Sequence, residues 1–201
     1  QRFQANPRGH WEEILKRRAT EGDFSHSLAE AAPNAAHFAL AELEEIGIIR
    51  YLITQNVDNL HLLAGSRNVA EIHGNHTKLR CTECNARYPR KEISLETLPP
   101  RCPACQGVVK SDTVMFGEPI PFDVLQTCQT ESNKADCMIS VGTSAFVYPA
   151  AGFPLDIKRT GGNLVEFNLE ETPLTPLCDV SVRGKATEVM PRLLELLKAS
   201  G

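Results

Sequence analysis

The pairing of two Cys-x2-Cys motifs is the strongest constraint on how this chain folds. Cys81 and Cys84 form the first motif, Cys102 and Cys105 form the second, and 17 residues separate the two. This spacing is typical of a structural zinc site, in which four thiolates surround the ion and leave no open coordination position. We therefore expect these four cysteines to bind a zinc ion that stabilises the fold. Any catalytic residues should lie elsewhere.

Candidate catalytic residues lie in two short polar segments ahead of the first cysteine motif. The segment TQNVDNLH contains Gln55, Asn56 and Asp58, and the segment EIHGN contains His73. Taken alone, Asn56 and Asp58 would form a polar turn or a helix cap, and His73 would be an ordinary histidine. Their grouping favours a catalytic site in which His73 is a general base. The remaining histidines lack such a context: His10, His26, His37, His61 and His76.

The composition excludes several classes of function. No apolar run approaches the roughly 20 residues that cross a bilayer, so no membrane partner is expected. The net charge is -4, without the clustered basic surface of a nucleic-acid-binding protein, so no direct contact with nucleic acid is expected. Seven cysteines, four of them in the paired motifs, indicate a reducing compartment and predict a cytoplasmic protein. Cys128, Cys137 and Cys178 are expected to be small core residues.

Alternating helices and strands predict an α/β fold with a mostly parallel sheet. Asn34 can cap a helix that Gly47 ends, and Ile48–Thr54 is predicted to be a buried strand. Cys137–Val141 and Leu164–Phe167 are two further predicted strands, and residues 122–133 and 186–199 are predicted helices. In such a sheet, ligands bind where the strands end.

Several motifs together resemble the sirtuin family, in the family's order and at compatible spacing. They are TQNVDNLH, EIHG, the paired cysteine motifs, VMFGE at 114–118, GTSAFVYPAA at 142–151 and EFN at 166–168. VYPAAGF and EFNLEETP are most similar to the bacterial and class III, desuccinylase-type branch. The resemblance implies a Rossmann-like NAD-binding domain over residues 1–78 and 111–201, with a small zinc-binding domain at residues 79–110.

The resemblance also implies an activity, namely that of an NAD-dependent protein-lysine deacylase. Such an enzyme removes acetyl, and in the desuccinylase-type branch succinyl, groups from protein or peptide substrates. It transfers the acyl group to ADP-ribose and releases nicotinamide, with His73, Asn56 and Asp58 as the implied catalytic residues. The implied NAD-binding residues are Gln55, Asn56, Asp58, Gly142, Thr143, Ser144, Asn168, Lys185 and Ala186. Those implied for the acyl-lysine substrate are Val114, Phe116, Gly117, Glu118, Val147 and Tyr148.

Two other classes of function stay open on the sequence. An ADP-ribosyltransferase could use the same site, and a non-catalytic zinc-knuckle module could use the cysteines alone. The chain begins QRFQANPRGHWEE, and the first strand and GAG-type glycine loop of a sirtuin do not occur in it. We therefore expect residues 1–201 alone to bind NAD poorly and to be weakly active or inactive.

Overall fold

The computed structural model describes residues 2–20 and 30–200, which form two compact units. The first unit comprises Gln1–Ala32, Thr54–Asn59 and His73–Pro121, and the second comprises Pro33–Ile53, Leu60–Ile72 and Phe122–Gly201. The predicted domains at residues 1–78, 79–110 and 111–201 stay a prediction. His26 lies outside the described residues. None of the described helices is long and apolar enough to cross a membrane.

The described elements alternate between helices and strands along most of the chain. In chain order they are α1 (Arg2–Ala5), α2 (Pro7–Thr20), α3 (Ala35–Glu45), β1 (Leu52–Thr54), α4 (Leu60–Leu63), β2 (Val69–Glu71), β3 (Lys78–Cys81), β4 (Arg87–Pro89), β5 (Val109–Ser111), α5 (Phe122–Lys134), β6 (Cys137–Val141), α6 (Phe153–Arg159), β7 (Asn163–Asn168), β8 (Val180–Arg183) and α7 (Ala186–Ser200). Short 3-10 turns occupy Arg90–Glu92, Ala150–Gly152 and Thr175–Leu177.

A parallel sheet of three strands, in the order β6-β7-β8, organises the second unit. Helices α3 and α7 contribute the buried side chains of Leu43 and Met190 to the same core as Phe167 of β7. β1 and β2 form a separate two-stranded sheet. The predicted strands at 137–141 and 164–167 and the predicted helices at 122–133 and 186–199 are confirmed, each to within one residue at either end.

The start of α3 is confirmed, whereas the predicted strand after it is wrong in its extent. Asn34 caps the helix, because its side chain accepts hydrogen bonds from the amides of Ala36 and His37. The predicted strand Ile48–Thr54 begins only at Leu52. The amides of Ile48 and Ile49 instead donate to the carbonyl oxygen of Leu43 at 2.9 and 3.0 Å. These two residues therefore complete the C-terminal end of the helix.

In the first unit, an antiparallel sheet of order β4-β3-β5 carries the cysteine motifs. Leu79 and Val109 are fully buried within it, and Trp11 of α2 packs on them with no exposed surface. The indole Nε1 of Trp11 donates a hydrogen bond to the carbonyl oxygen of Val109 at 2.9 Å. Helix α2 is thereby attached to the cysteine-bearing sheet of its own unit.

Candidate active site and zinc centre

The four predicted zinc ligands converge in the first unit. The Sγ atoms of Cys81, Cys84, Cys102 and Cys105 all lie within 4.8 Å of one another. The Cys81–Cys105 and Cys84–Cys102 sulfur pairs are 3.5 and 3.7 Å apart. A tetrahedral zinc ion with Zn–S bonds of about 2.3 Å requires sulfurs about 3.8 Å apart, so the cluster matches zinc. With four thiolates and no open position, it is a structural site.

Backbone amides support the sulfurs in the way that a thiolate site requires. The amide of Glu83 lies 3.4 Å from the Sγ of Cys81, and the amide of Gly107 lies 3.4 Å from the Sγ of Cys105. Both amides are two residues beyond a cysteine, so each motif turns its backbone donors toward its own sulfur. Such donors stabilise negative charge on the sulfurs.

His73 is held against the polar segment that contains Gln55, Asn56 and Asp58. Its Nδ1 lies 3.2 Å from the backbone carbonyl oxygen of Gln55. A carbonyl oxygen only accepts, so Nδ1 carries the proton and donates it. The lone pair of the neutral imidazole is then on Nε2. The first unit therefore places His73 against the segment that contains the other three predicted residues, with the lone pair of Nε2 free of this contact.

Gly74 allows the chain to turn directly after His73. Its φ is +79°, in the left-handed region that glycine tolerates. A Cβ at this position would lie 2.1 Å from the carbonyl oxygen of Asp112. Beside this close approach, the amide of Val114 donates a hydrogen bond to the carbonyl oxygen of His73 at 2.9 Å. The segment that carries the predicted substrate residues is thus joined to His73.

A charged cluster of Arg80, Lys110 and Glu118 fixes the conformation of residues 113–118, the segment that carries these predicted substrate residues. Glu118 accepts hydrogen bonds at 3.0 Å from the Nη2 of Arg80 and from the Nζ of Lys110. Its carboxylate also caps the amide of Met115 at 3.0 Å. Burial lowers the pKa of Lys110, against the opposing effect of the Glu118 carboxylate. Burial raises the pKa of Glu118, but the hydrogen bonds from Met115 and Lys110 outweigh it and the net pKa is lowered.

The predicted substrate residues of this segment have different environments. Phe116 is fully exposed, at 101%, and its ring is therefore available to a ligand. The carboxylate of Glu118 is already engaged in the charged cluster. Gly117 has a φ of +78°, and Val114 is half-buried. Because its carboxylate is engaged, Glu118 can contact a substrate only through its backbone.

The second unit brings together the other predicted NAD-binding residues at the carboxyl end of its parallel sheet. Gly142 follows β6 with a φ of +61°, and its amide donates a hydrogen bond to the carbonyl oxygen of Phe167 at 2.9 Å. The side-chain amide of Asn168 donates to the carbonyl oxygen of Thr143 at 2.8 Å, so it ties the turn after β6 to the end of β7. Ser144 is exposed beside this turn.

Beyond β8, Gly184 donates its amide to the carbonyl oxygen of Asn168 at 3.1 Å. The predicted residues Lys185 and Ala186 follow it at the start of α7. The Lys185 side chain is 69% exposed and lies 3.7 Å from Glu188. An exposed pair of this kind contributes little to stability. Lys185 therefore has freedom to meet a ligand.

The remaining predicted substrate residues, Val147 and Tyr148, also lie in the second unit. Together with Phe146 they form an exposed apolar stretch, with exposed fractions of 71% for Phe146, 39% for Val147 and 68% for Tyr148. Contiguous exposed apolar side chains are common at surfaces that bind partners or ligands, so Val147 and Tyr148 stay predicted substrate residues.

Sequence reasoning missed Asn75 and His76, which also contact the polar segment. The Nδ1 of His76 lies 2.7 Å from the carbonyl oxygen of Val57, and the side chain of Asn75 donates to the Oδ1 of Asn59 at 2.7 Å. The one available signal was their place in the chain, because both follow His73 and Gly74 directly.

Comparison with known proteins identifies the family. The Sir2 family profile matches residues 3–149. An NAD-dependent protein deacylase of Pyrococcus furiosus is 48% identical over 176 residues, covering 85% of this chain and 70% of the relative. An NAD-dependent protein deacetylase of Sulfurisphaera tokodaii is 42% identical over 201 residues, covering 98% of this chain and 76% of the relative.

Solved structures agree with the sequence relatives. A Sir2 homologue in complex with NAD superposes with a TM-score of 0.79 at 43% identity, covering 98% of this chain and 75% of that one. A Sir2 complex with a p53 peptide and NAD+ superposes with a TM-score of 0.78 at 37% identity, covering 98% of this chain and 80% of that one. The chain belongs to the Sir2 family, the sirtuins.

Proposed function

We infer that this protein is an NAD-dependent protein deacylase that removes acyl groups from lysine side chains. The observation that carries the inference is the orientation of His73, whose Nδ1 lies 3.2 Å from the carbonyl oxygen of Gln55 in a chain of the Sir2 family. Relatives named deacylase and deacetylase favour acyl removal over ADP-ribosylation of a protein. The non-catalytic alternative would leave this orientation without a purpose.

In this reaction His73 accepts a proton. When bound, NAD supplies an electrophilic ribose carbon and the ADP-ribose that accepts the acyl group, and nicotinamide is released. The donor bond from Nδ1 to Gln55 leaves Nε2 as the basic atom. We propose that, after nicotinamide has left, Nε2 would withdraw a proton from a ribose hydroxyl, whose oxygen would bond to the acyl carbon as the acyl–nitrogen bond to lysine breaks. The lysine amine would leave as product, and one water is consumed overall. No protein nucleophile is required, and positioning supplies most of the catalysis.

We propose that the predicted NAD-binding residues contact different parts of the cofactor. In the first unit, Asn56 and Asp58 contact the nicotinamide, and Gln55 contacts the ribose hydroxyls. In the second unit, the residues for the adenosine half are Gly142, Thr143, Ser144, Asn168, Lys185 and Ala186. Backbone donors at the ends of parallel strands are suited to phosphate and ribose, which supports the second assignment.

Acyl-lysine peptides and proteins are the proposed substrates. Val114 and Phe116 would flank the acyl-lysine side chain, and the full exposure of Phe116 supports its role. The substrate backbone would pair as an extended strand with Gly117 and Glu118, and with Val147 and Tyr148. Backbone pairing of this kind tolerates varied sequences. Assignment to the desuccinylase-type branch is part of the proposal.

We also propose a cytoplasmic location. None of the seven cysteines forms a disulfide, and four of them converge in the predicted zinc site, which suits a reducing compartment. Fractionation of cells that produce the protein, with an antibody against it, tests this proposal.

The decisive test is a product analysis. The zinc-loaded protein is incubated with NAD and either an acetyl-lysine or a succinyl-lysine peptide, and nicotinamide, the deacylated peptide and acylated ADP-ribose are quantified. Equal amounts of the three products are expected. ADP-ribose attached to protein without peptide deacylation would instead support a transferase.

A further inference from the structure

Residues 73–77 contact alternate residues of the polar segment 55–59. The first contact joins the Nδ1 of His73 to the carbonyl oxygen of Gln55 at 3.2 Å. Val57 accepts two hydrogen bonds at its carbonyl oxygen, from the amide of His76 at 2.9 Å and from the Nδ1 of His76 at 2.7 Å. Because the carbonyl only accepts, the proton of this second pair also lies on Nδ1.

The third contact fixes the far end of the same segment. Asn75 has no exposed surface, and its Nδ2 donates to the Oδ1 of Asn59 at 2.7 Å. Its Oδ1 accepts from the amide and the hydroxyl of Thr77 at 2.8 and 2.7 Å, so both ends of the amide have partners. Asn59 has a φ of +68°, a left-handed conformation that asparagine adopts more readily than most residues, and the hydrogen bond from Asn75 fixes its side chain.

The held residues alternate with the residues that the proposed function uses. Gln55, Val57 and Asn59 are fixed by residues 73–77, whereas Asn56 and Asp58 lie between them in the chain. Asn56 is exposed and Asp58 is half-buried. A chain fixed at every second residue leaves the intervening side chains little freedom of direction. This is the arrangement that a preorganised binding site needs.

We propose that Asn75 and His76 are positioning residues, which set the direction of Asn56 and Asp58 toward the nicotinamide part of NAD. The inference rests on the proposed function. It assigns no contact with NAD to Asn75 or His76, which act through the backbone of Val57 and the side chain of Asn59. Asn75 and His76, which follow His73 in the same segment, would thus hold the polar segment 55–59 in place beside it.

The test compares two substitutions of one residue in the zinc-loaded protein. His76→Phe keeps a ring but removes the Nδ1 donor, whereas His76→Asn places an amide donor near the same point. We expect His76→Phe to lower kcat/KM for NAD by about tenfold or more, since displacement of binding groups by 1 Å can cost a hundredfold. The KM for the acyl-lysine peptide should change little, because the charged cluster around Glu118 holds that segment separately. His76→Asn should recover most of the loss.

A second variant keeps the test decisive if His76→Phe does not fold. Asn59→Gly retains the left-handed backbone and removes the acceptor of Asn75, and we expect a similar loss of kcat/KM for NAD. The proposal is overturned if folded His76→Phe or Asn59→Gly matches the parent, or if His76→Asn is as impaired as His76→Phe. Transfer of ADP-ribose to protein without deacylation of the peptide would reject the proposed function alone. If turnover by the parent is too slow to quantify, NAD affinity, measured by titration of parent and variants, tests the positioning role.

Discussion

Gly74 lies so close to Asp112 that a Cβ on the glycine would be 2.1 Å from the Asp112 carbonyl oxygen. Gly74 also has a φ of +79°. Gly74→Ala should therefore combine backbone strain with a clash against main chain, and should displace the neighbouring His73. Gly47 is a matched control, because it has the same φ of +79° and open space at its Cβ position. We expect Gly47→Ala to cost about 1–2 kcal/mol of unfolding free energy, and Gly74→Ala to cost more and to lose deacylation. Equal melting temperatures for the two variants would contradict the account.

Removal of zinc should unfold the first unit. A closed site with four thiolates contributes directly to folding, so Cys102→Ala or a strong chelator should abolish cooperative melting of this unit. Trp11, the only tryptophan, is fully buried beside the cysteine-bearing sheet and reports the loss through its fluorescence. Cys137→Ala, at an exposed cysteine outside the site, is the control and should keep its zinc. A metal-free protein with unchanged tryptophan emission and melting would refute the structural role.

Loss of the Glu118 carboxylate should weaken substrate binding more than NAD binding. Glu118→Gln leaves the buried charges of Arg80 and Lys110 without their shared partner, which we expect to cost about 3 kcal/mol of stability. The residues 113–118 should then lose their fixed conformation. Steady-state kinetics should show a raised KM for the acyl-lysine peptide and a nearly unchanged KM for NAD. A raised KM for NAD alone would contradict this assignment.

Acid should destabilise the second unit through Glu166. Burial raises the pKa of this carboxyl, but the hydrogen bonds that it accepts outweigh burial, and the net pKa is below its usual range. The donors are Thr172, Thr175, Arg183 and Ser181. The carboxylate therefore contributes stability above the unfolded pKa of about 4.3, and this stability is lost as the pH falls through the folded pKa.

Glu166→Gln tests this dependence. At pH 7 the variant should be less stable by about 2 kcal/mol, because buried hydrogen bonds to a charged group are lost. The difference from the parent should shrink on acidification below about pH 4, as measured by urea unfolding at several pH values. A difference that stays constant down to pH 3 would show that the charge of Glu166 is not the cause.

Local patterns predicted those parts of the fold that local physics determines. The cysteine spacing predicted the zinc site, and the cap at Asn34 predicted the start of α3. The strand from Ile48 was mispredicted because its apolar residues satisfy a strand pattern, whereas their amides are used to complete the preceding helix. The sequence alone does not show whether these amides pair in a strand or complete the end of α3.

The site residues that the sequence patterns did not predict are positioned by contacts between residues distant in the chain. His76 and Asn75 owe their positions to contacts with residues 16 to 19 positions earlier in the chain, and no periodicity or spacing encodes such pairs. Helix α2 was not assigned because, among its described side chains, Trp11 alone is buried, so its apolar face is too narrow to give a helical pattern. β8 was missed for a related reason, since three of its four residues are exposed.

The central claim, that His73 is the base that acts after nicotinamide has left, is tested by comparing two activities of one variant. His73→Ala should lower deacylation by at least about 100-fold, because a general base is lost. Exchange of labelled nicotinamide into NAD, in the presence of an acyl-lysine peptide, precedes the proton transfer and should survive in part. Asp58→Ala is the comparison, since loss of a nicotinamide contact should reduce both activities together. A His73→Ala protein that loses both activities to the same extent would contradict the account and assign His73 to NAD binding or folding.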